Sequence, residues 1–209
     1  MSDSRELTEA QENNQIRFFN SAEGLFERHG YKKTTIMEIC SSTSLSKPTF
    51  YDLFKDKADF FARLLLFITE TEMKSWKHKL PEQSSPSDQV KAFIDFYATS
   101  LAIRPIFKLI LEDPEVMEKF GWIIYHQPNS PIFSTLMEIV ENGVNTGDFR
   151  KIDPDAAVWI IYAILDSMYV LLPMITGKAG AAEDQALAGD VKKFILNGLA
   201  KRDRDSKSS

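Results

Sequence analysis

A single cysteine, three scattered histidines and the lack of any glycine-rich phosphate loop set the first limits on this chain. Cys40 is alone among 209 residues, so no internal disulfide can form, and its place on an apolar helical face marks it as a small core hydrophobe. His29, His78 and His126 have no cysteine or carboxylate at metal-ligand spacing, so no metal site is expected. Neither a phosphate loop after a strand nor a nucleophile elbow occurs. With no catalytic set in the sequence, an enzyme is not expected, nor a cofactor. Strand alternation and internal repeats are missing too, and the expected fold class is all-α. The N-terminal MSDSRELTEAQENN is polar and acidic, without the apolar run of a signal peptide, which makes the cytoplasm the expected location.

One apolar run is present. Residues 156–175, AAVWIIYAILDSMYVLLPMI, are about long enough to cross a bilayer. Asp166 stands at the midpoint, where insertion costs about 2.5–3.5 kcal/mol, and no basic cluster precedes the run. A helix buried between a pocket and a partner subunit is also apolar nearly all round, and that is the reading preferred here, with no membrane partner.

At 44% hydrophobic the chain can bury a substantial core in one large or two small domains. The net charge of −5 argues against a general polyanion binder, but its distribution is uneven. Residues 28–57 hold six basic and three acidic side chains, a balance of +3, which leaves −8 for the remainder. A locally basic module on an acidic body suits a protein that touches nucleic acid with one small surface.

The densest local signals lie in that module, GYKKTTIMEICSSTSLSKPTFYDLFKDK (30–57). Gly30 can take positive φ and is a natural stop for the preceding amphipathic helix, whose stripe is Ile16, Phe18, Phe19, Ala22, Leu25 and Phe26. Thr35 and Glu38 form a capping box for a second helix, with Ile36, Ile39 and Cys40 inward. Thr43 and Ser44 make a polar turn. Ser46 is an N-cap, and Pro48 is harmless only in a first helical turn. In this third helix Phe50, Leu53 and Phe54 share the inner face, leaving Pro48, Tyr51 and Asp52 outward, flanked by Lys47 and Thr49. A helix N-terminus suits phosphate, and a recognition helix reads bases with its first residues.

Gly30-Tyr31, Thr34-Thr35, Ile39-Cys40, Thr43-Ser44-Leu45, Phe50-Tyr51, Phe54 and Lys57 together resemble the tetracycline-repressor (TetR) family of bacterial transcriptional regulators over roughly residues 14–60. The resemblance implies that Thr34, Thr35, Tyr51 and Lys57 anchor phosphates while Lys47, Pro48 and Thr49 face the major groove. Cys40 and Thr43 stand where the family has alanines, and Ser44 where it has a turn glycine. Leu53 occupies a position that some members use for a phosphate contact.

The remaining chain reads as helices. Asp56 can cap a long fourth helix to about Leu80, with Phe60, Phe61, Leu64, Leu65 and Ile68 inward; Ser87 is the expected cap of a fifth. Asp113-Pro114, Ser130-Pro131 and Asp153-Pro154 each read as N-cap and first helical residue. Helices at 154–176 and 187–201 end the fold, and paired with those of a second copy they can form a four-helix interface. Expected domains are a helix-turn-helix DNA-binding domain with a polar N-terminal arm (1–57), a helical ligand-binding and dimerisation domain (58–201) and a disordered tail (202–209).

Trp122, Tyr125 and His126 in one helix, and Trp159, Tyr162, Asp166 and Tyr169 on one side of another, are the candidate lining of an apolar effector cavity, plain core being the alternative for each aromatic. Asp166 needs a Tyr or Trp donor, a subunit across an interface, or a ligand cation. Ile161, Leu165, Met168 and Leu172, on the opposite side, are the expected dimer seam. These expectations describe a homodimeric DNA-binding repressor, with a palindromic double-stranded operator and a small, mainly apolar effector as partners. The rivals are a helical carrier or adaptor that does not bind DNA, and an enzyme using the pocket.

Overall fold

The computed structural model describes residues 7–81, 83–101, 104–125, 130–178, 180–181 and 183–201, of which 101, 111, 122–125 and 174 by their backbone alone. Among the described residues the regular structure is helical apart from one isolated antiparallel bridge, Phe149 to Ala200. The helices are α1 (Glu9–Lys33), α2 (Ile36–Thr43), α3 (Lys47–Leu53), α4 (Lys57–Lys79), α5 (Pro86–Phe96), α6 (Pro105–Glu112), α7 (Pro114–Tyr125), α8 (Pro131–Thr146), α9 (Pro154–Asp166), α10 (Leu172–Thr176) and α11 (Gln185–Leu199). Helix α5 runs into a π-helical turn at Tyr97–Leu101, and a second π-helical turn, Ser167–Leu171, joins α9 to α10. The chain divides into two compact units, one drawn from Met1–Ile68 with Lys108–His126, the other from Thr69–Phe107 with Gln127–Ser209.

In the first unit, local chemistry sets the helix ends. Gly30 (φ 77°) interrupts α1. Thr35 and Glu38 close the capping box of α2, the Glu38 N–H donating to Thr35 Oγ1 at 3.2 Å and the Thr35 N–H to Glu38 Oε2 at 2.8 Å. Ser44 takes the left-handed conformation (φ 58°), the only non-glycine among the described residues to do so. Ser46 accepts from the Thr49 N–H to start α3, and Asp56 Oδ1 accepts from the Ala58 and Asp59 N–H groups to start α4. Phe18, Phe19, Phe26, Phe50, Phe54, Phe60 and Phe61 are all buried, and the Phe18 ring meets Phe50 and Phe54 edge-on at 5.5 and 5.9 Å. Ile16, expected in the stripe, is exposed, because α1 turns it past the edge of this aromatic core. Cys40 is buried, and burial pushes its thiol up, as for a core cysteine. Phe120 of α7 completes the unit against Tyr31 and Phe61, both at 4.9 Å.

The second unit packs Trp76 on Phe93 and Phe96, with the indole N–H donating to the Ala92 carbonyl. Ser85, not Ser87, caps α5: Pro86 takes the first helical position, and Ser85 accepts the Asp88 N–H. Ser130 and Asp153 cap α8 and α9 as expected. Gly143 is required by a close approach, since a Cβ there would lie 2.2 Å from the Phe149 ring. The expected helix 154–176 forms as α9, the second π-helical turn and α10. Pro173 lies inside it without ending it. Pro154–Leu171 is long and apolar enough to cross a membrane by length and composition. Its buried side, Ala157, Val158, Ile161, Tyr162 and Leu165, lies within the unit. That removes Ile161 and Leu165 from the expected seam, since both are core residues, while Met168 and Leu172 are half-buried. Among the described residues of this unit the exposed large apolar side chains are Trp159 (37%), Ile160 (55%), Ile175 (73%) and Phe194 (70%).

Candidate nucleic-acid interface and effector site

The outer face of α3 presents Lys47, Pro48, Tyr51 and Asp52 to solvent, with Thr49 half-buried, while Phe50 and Leu53 hold the helix to the core. Tyr51 is 56% exposed with its ring edge-on to Phe50 at 5.5 Å, which fixes its direction without covering its hydroxyl. Thr35 is exposed at the start of α2. Thr49 Oγ1 lies 2.8 Å from Ser46 Oγ, so part of its hydrogen-bonding capacity serves the cap. Leu53 is buried and offers no contact to a backbone.

Two of the seven candidate DNA residues are placed otherwise. Thr34 is fully buried, its hydroxyl donating to the Gly30 carbonyl at 2.8 Å and the Leu25 carbonyl at 3.4 Å; it closes the end of α1 and cannot reach a phosphate from there. Lys57 Nζ donates to the carbonyls of Tyr31 (2.9 Å), Thr34 (3.0 Å) and Lys32 (3.3 Å) and sits 4.5 Å above the Tyr31 ring. An ammonium has three donors, and all three are engaged. Burial, followed by the nearby charge of Lys119, lowers the Lys57 pKa from its ordinary value.

This is one case of a wider device. Arg17 donates to the Thr43 carbonyl at the end of α2 (2.9 Å), and Arg63 to the Leu53 carbonyl at the end of α3 (2.7 Å). Cations from elsewhere thus meet the C-terminal carbonyls of α1, α2 and α3, where the helix dipole favours positive charge. Arg17 and Arg63 were not among the sequence candidates. They lie 26 and 10 residues from their acceptors, beyond any local motif.

In the second unit Tyr162, Asp166 and Tyr169 all lie against Tyr97, a residue that the sequence did not single out. The Tyr97 hydroxyl donates to Asp166 Oδ1 at 3.3 Å, and its ring meets Tyr162 at 6.3 Å and Tyr169 at 6.2 Å, edge-on in both cases. Trp159 stands partly exposed against Phe133 at 4.8 Å. His126 and the side chains of Trp122 and Tyr125 lie outside the described residues, as do the tail 202–209 and the first six residues of the N-terminal arm. Among the described residues no three His, Cys, Asp or Glu side chains are grouped closely enough to hold a metal ion.

Residues 19–64 match the family model for bacterial regulatory proteins of the tetR family. The chain thus carries the N-terminal module of the TetR family over those residues. Its all-α architecture, with an N-terminal helix-turn-helix bundle and a larger C-terminal helical part, is that of a TetR regulator. A curated relative, the uncharacterized HTH-type transcriptional regulator YhgD of Bacillus subtilis (strain 168), is 23% identical over 184 residues, 84% of this chain and 91% of YhgD. Among solved structures, the transcriptional regulator FadR of Bacillus subtilis in complex with stearoyl-CoA superposes with a TM-score of 0.65 at 17% identity, covering 88% of this chain and 98% of FadR. A candidate transcriptional regulator from Saccharomonospora viridis in complex with choline superposes with a TM-score of 0.64 at 16% identity, covering 91% of this chain and all of the other. At these identities the likeness is one of fold. The TetR match lies wholly within the first unit, where the helix-turn-helix sits.

Proposed function

We propose that this TetR regulator is a cytoplasmic, ligand-responsive repressor that binds a palindromic operator as a homodimer and releases it when a small, mainly apolar effector enters the second unit. The observation that carries the proposal is the outer face of α3, where Lys47, Pro48, Thr49 and Tyr51 line the first turns of a capped helix held in place from behind. Lys47 and Thr49 read base edges, while Thr35 and Tyr51 hold phosphate. Functionally, residues 1–57 form the reader and 58–201 the effector and dimer domain.

One recognition helix of seven residues spans few base pairs, so specificity calls for two copies related by a two-fold axis. The exposed apolar side chains Ile160 and Phe194, beside the α9–α11 groove lined by Ile161, Ile164 and Ile195, are the surface on which a second copy packs. The fold accommodates ligands of different chemistry, as the complexes of FadR with stearoyl-CoA and of the Saccharomonospora viridis protein with choline illustrate. Helix α4 begins in the first unit and ends in the second, which makes it the physical link for a coupling that in such systems is typically about 1–3 kcal/mol.

Selection of bound duplexes from a random pool tests the proposal. An enriched inverted repeat supports a dimeric reader. The competing reading, a helical carrier that does not bind DNA, draws on Asp52, an exposed carboxylate on the face that would approach phosphate. A pool that shows no enrichment would favour the carrier.

A further inference from the structure

We propose that the Tyr97–Tyr162–Asp166–Tyr169 cluster takes the nitrogen of a protonated organic amine, an ammonium that carries at least one N–H. The proposal deepens the effector reading above and rests on it for its regulatory meaning, though not for the binding itself.

The Tyr169 side chain is 4% exposed, yet its hydroxyl has no hydrogen-bond partner among the described residues. A buried hydroxyl left unmet is rare enough in folded proteins to need a reason, and one reason is a ligand that supplies the missing bond. The groups around it set the sign of that ligand. Asp166 is half-buried beside the same rings and accepts a bond from the Tyr97 hydroxyl at 3.3 Å, which places a carboxylate within the cluster. Burial and, second, the charge of Asp95 raise the Tyr169 pKa, which keeps the phenol neutral; Asp95 is itself paired with Lys192. An anionic ligand would meet Asp166 head-on. An ammonium meets a carboxylate, a phenol oxygen able to accept its N–H, and three aromatic rings that attract a cation over their faces.

The backbone is shaped to hold this cluster. Tyr97 opens one π-helical turn and Tyr169 lies in the middle of the other, and such turns recur at functional sites. The second turn has an identifiable origin. Pro173 cannot donate to the preceding turn, and the Met168 carbonyl receives the Ala181 N–H instead, at 2.9 Å. The loop reaches Met168 only through Gly180, where a Cβ would lie 2.3 Å from Pro173 Cγ and 2.9 Å from the Met168 oxygen. A proline, a glycine and a returning loop thus fix the turn that carries the unmet hydroxyl. A purely structural tyrosine would have been served equally by phenylalanine.

Titration calorimetry and thermal melts of the full-length protein, its Asp166→Asn and its Tyr169→Phe variants, test this with four probes: hexylammonium, tetramethylammonium, 1-hexanol and hexanoate. Wild type is expected to bind hexylammonium at least tenfold more tightly than the other three, and each variant to lose at least tenfold in hexylammonium affinity. The ligand-free melting temperature of Tyr169→Phe is expected to equal or exceed that of wild type, since an unmet hydroxyl is removed. Hexanol or hexanoate binding as tightly as hexylammonium, tetramethylammonium doing so, or hexylammonium affinity unchanged in both variants would overturn the proposal. A clear drop in the ligand-free melting temperature of Tyr169→Phe would overturn it too, because the hydroxyl would then be structural. Hexylammonium bound through the cluster with no change in operator affinity would leave the amine site standing and sink the regulatory reading. Operator release by an acyl compound, with hexylammonium ignored, would do the reverse.

Discussion

Tyr51 and Lys47 lie on the same helix face but are assigned different work, and a substitution at each separates the two. Removing the Tyr51 hydroxyl is expected to weaken binding to every duplex about equally, because a phosphate contact carries no sequence information. Lys47→Ala is expected to change which operator is selected, at about 1–3 kcal/mol for the base pair it reads. Selected pools from both variants check this; an unaltered consensus with Lys47→Ala would reverse the assignment. Lys57 belongs to a different class of residue. Its three carbonyl acceptors make it a clamp between α4 and the end of α1, so Lys57→Met is expected to lower unfolding stability by about 1–2 kcal/mol, read from the denaturant midpoint at constant m. A variant as stable as wild type but poor in DNA binding would return Lys57 to the phosphate. The clamp was not legible in the sequence, because its acceptors lie 23 to 26 residues away, whereas the Thr35–Glu38 box spans three residues and could be read directly.

Helix ends were legible wherever the capping group is local. Ser46, Asp56, Asp113, Ser130 and Asp153 sit where their side chains reach the first N–H groups, and the helices start there. There are two exceptions. Ser85 caps in place of Ser87, because two serines flank Pro86 and only the one before the proline leaves it in the first turn. Asp184 starts the last helix at Gln185 instead of the expected 187, and that helix ends at Leu199. These caps give the fold an acid limit. The Thr35 N–H and hydroxyl lower the Glu38 pKa, the Asp59 and then the Ala58 N–H lower that of Asp56, and the Lys32 ammonium lowers that of Asp113. A carboxylate with a depressed folded pKa stabilises fully above its unfolded value, 4.5 for Glu38 and 3.8 for the aspartates, and loses that contribution as pH falls through the folded value. Denaturant midpoints are therefore expected to hold to about pH 5 and to fall below it. A Glu38→Gln/Asp56→Asn double variant keeps both acceptors, and its midpoint is expected to fall less steeply. An identical acid profile would mean that other carboxylates govern it.

At the scale of the whole molecule, α9 is the element that sequence alone could not orient. Apolar side chains surround it, so periodicity offers no sign of which side faces inward, and the side carrying Leu165 turned out to be core while Ile160 lies outward. Likewise Tyr97 meets Asp166 across 69 residues, a neighbour that only packing supplies. The corrected surface changes the test of the dimer. Ile160→Lys with Phe194→Lys is expected to give folded monomers that have lost operator affinity, whereas Leu165→Lys is expected to unfold the second unit. Sedimentation at micromolar concentration with far-UV circular dichroism distinguishes them, and an unchanged dimer in the first variant would move the interface elsewhere.

Sequence-specific, salt-dependent binding of DNA is the claim from which the rest follows. Its most direct measurement is the affinity of the intact wild-type protein for its selected inverted repeat and for a scrambled duplex of equal length, each titrated from about 50 to 200 mM salt. The account predicts at least about a thousandfold preference for the repeat and affinity for both duplexes falling steeply as salt rises. Equal affinity for the two duplexes, or binding indifferent to salt, would contradict it.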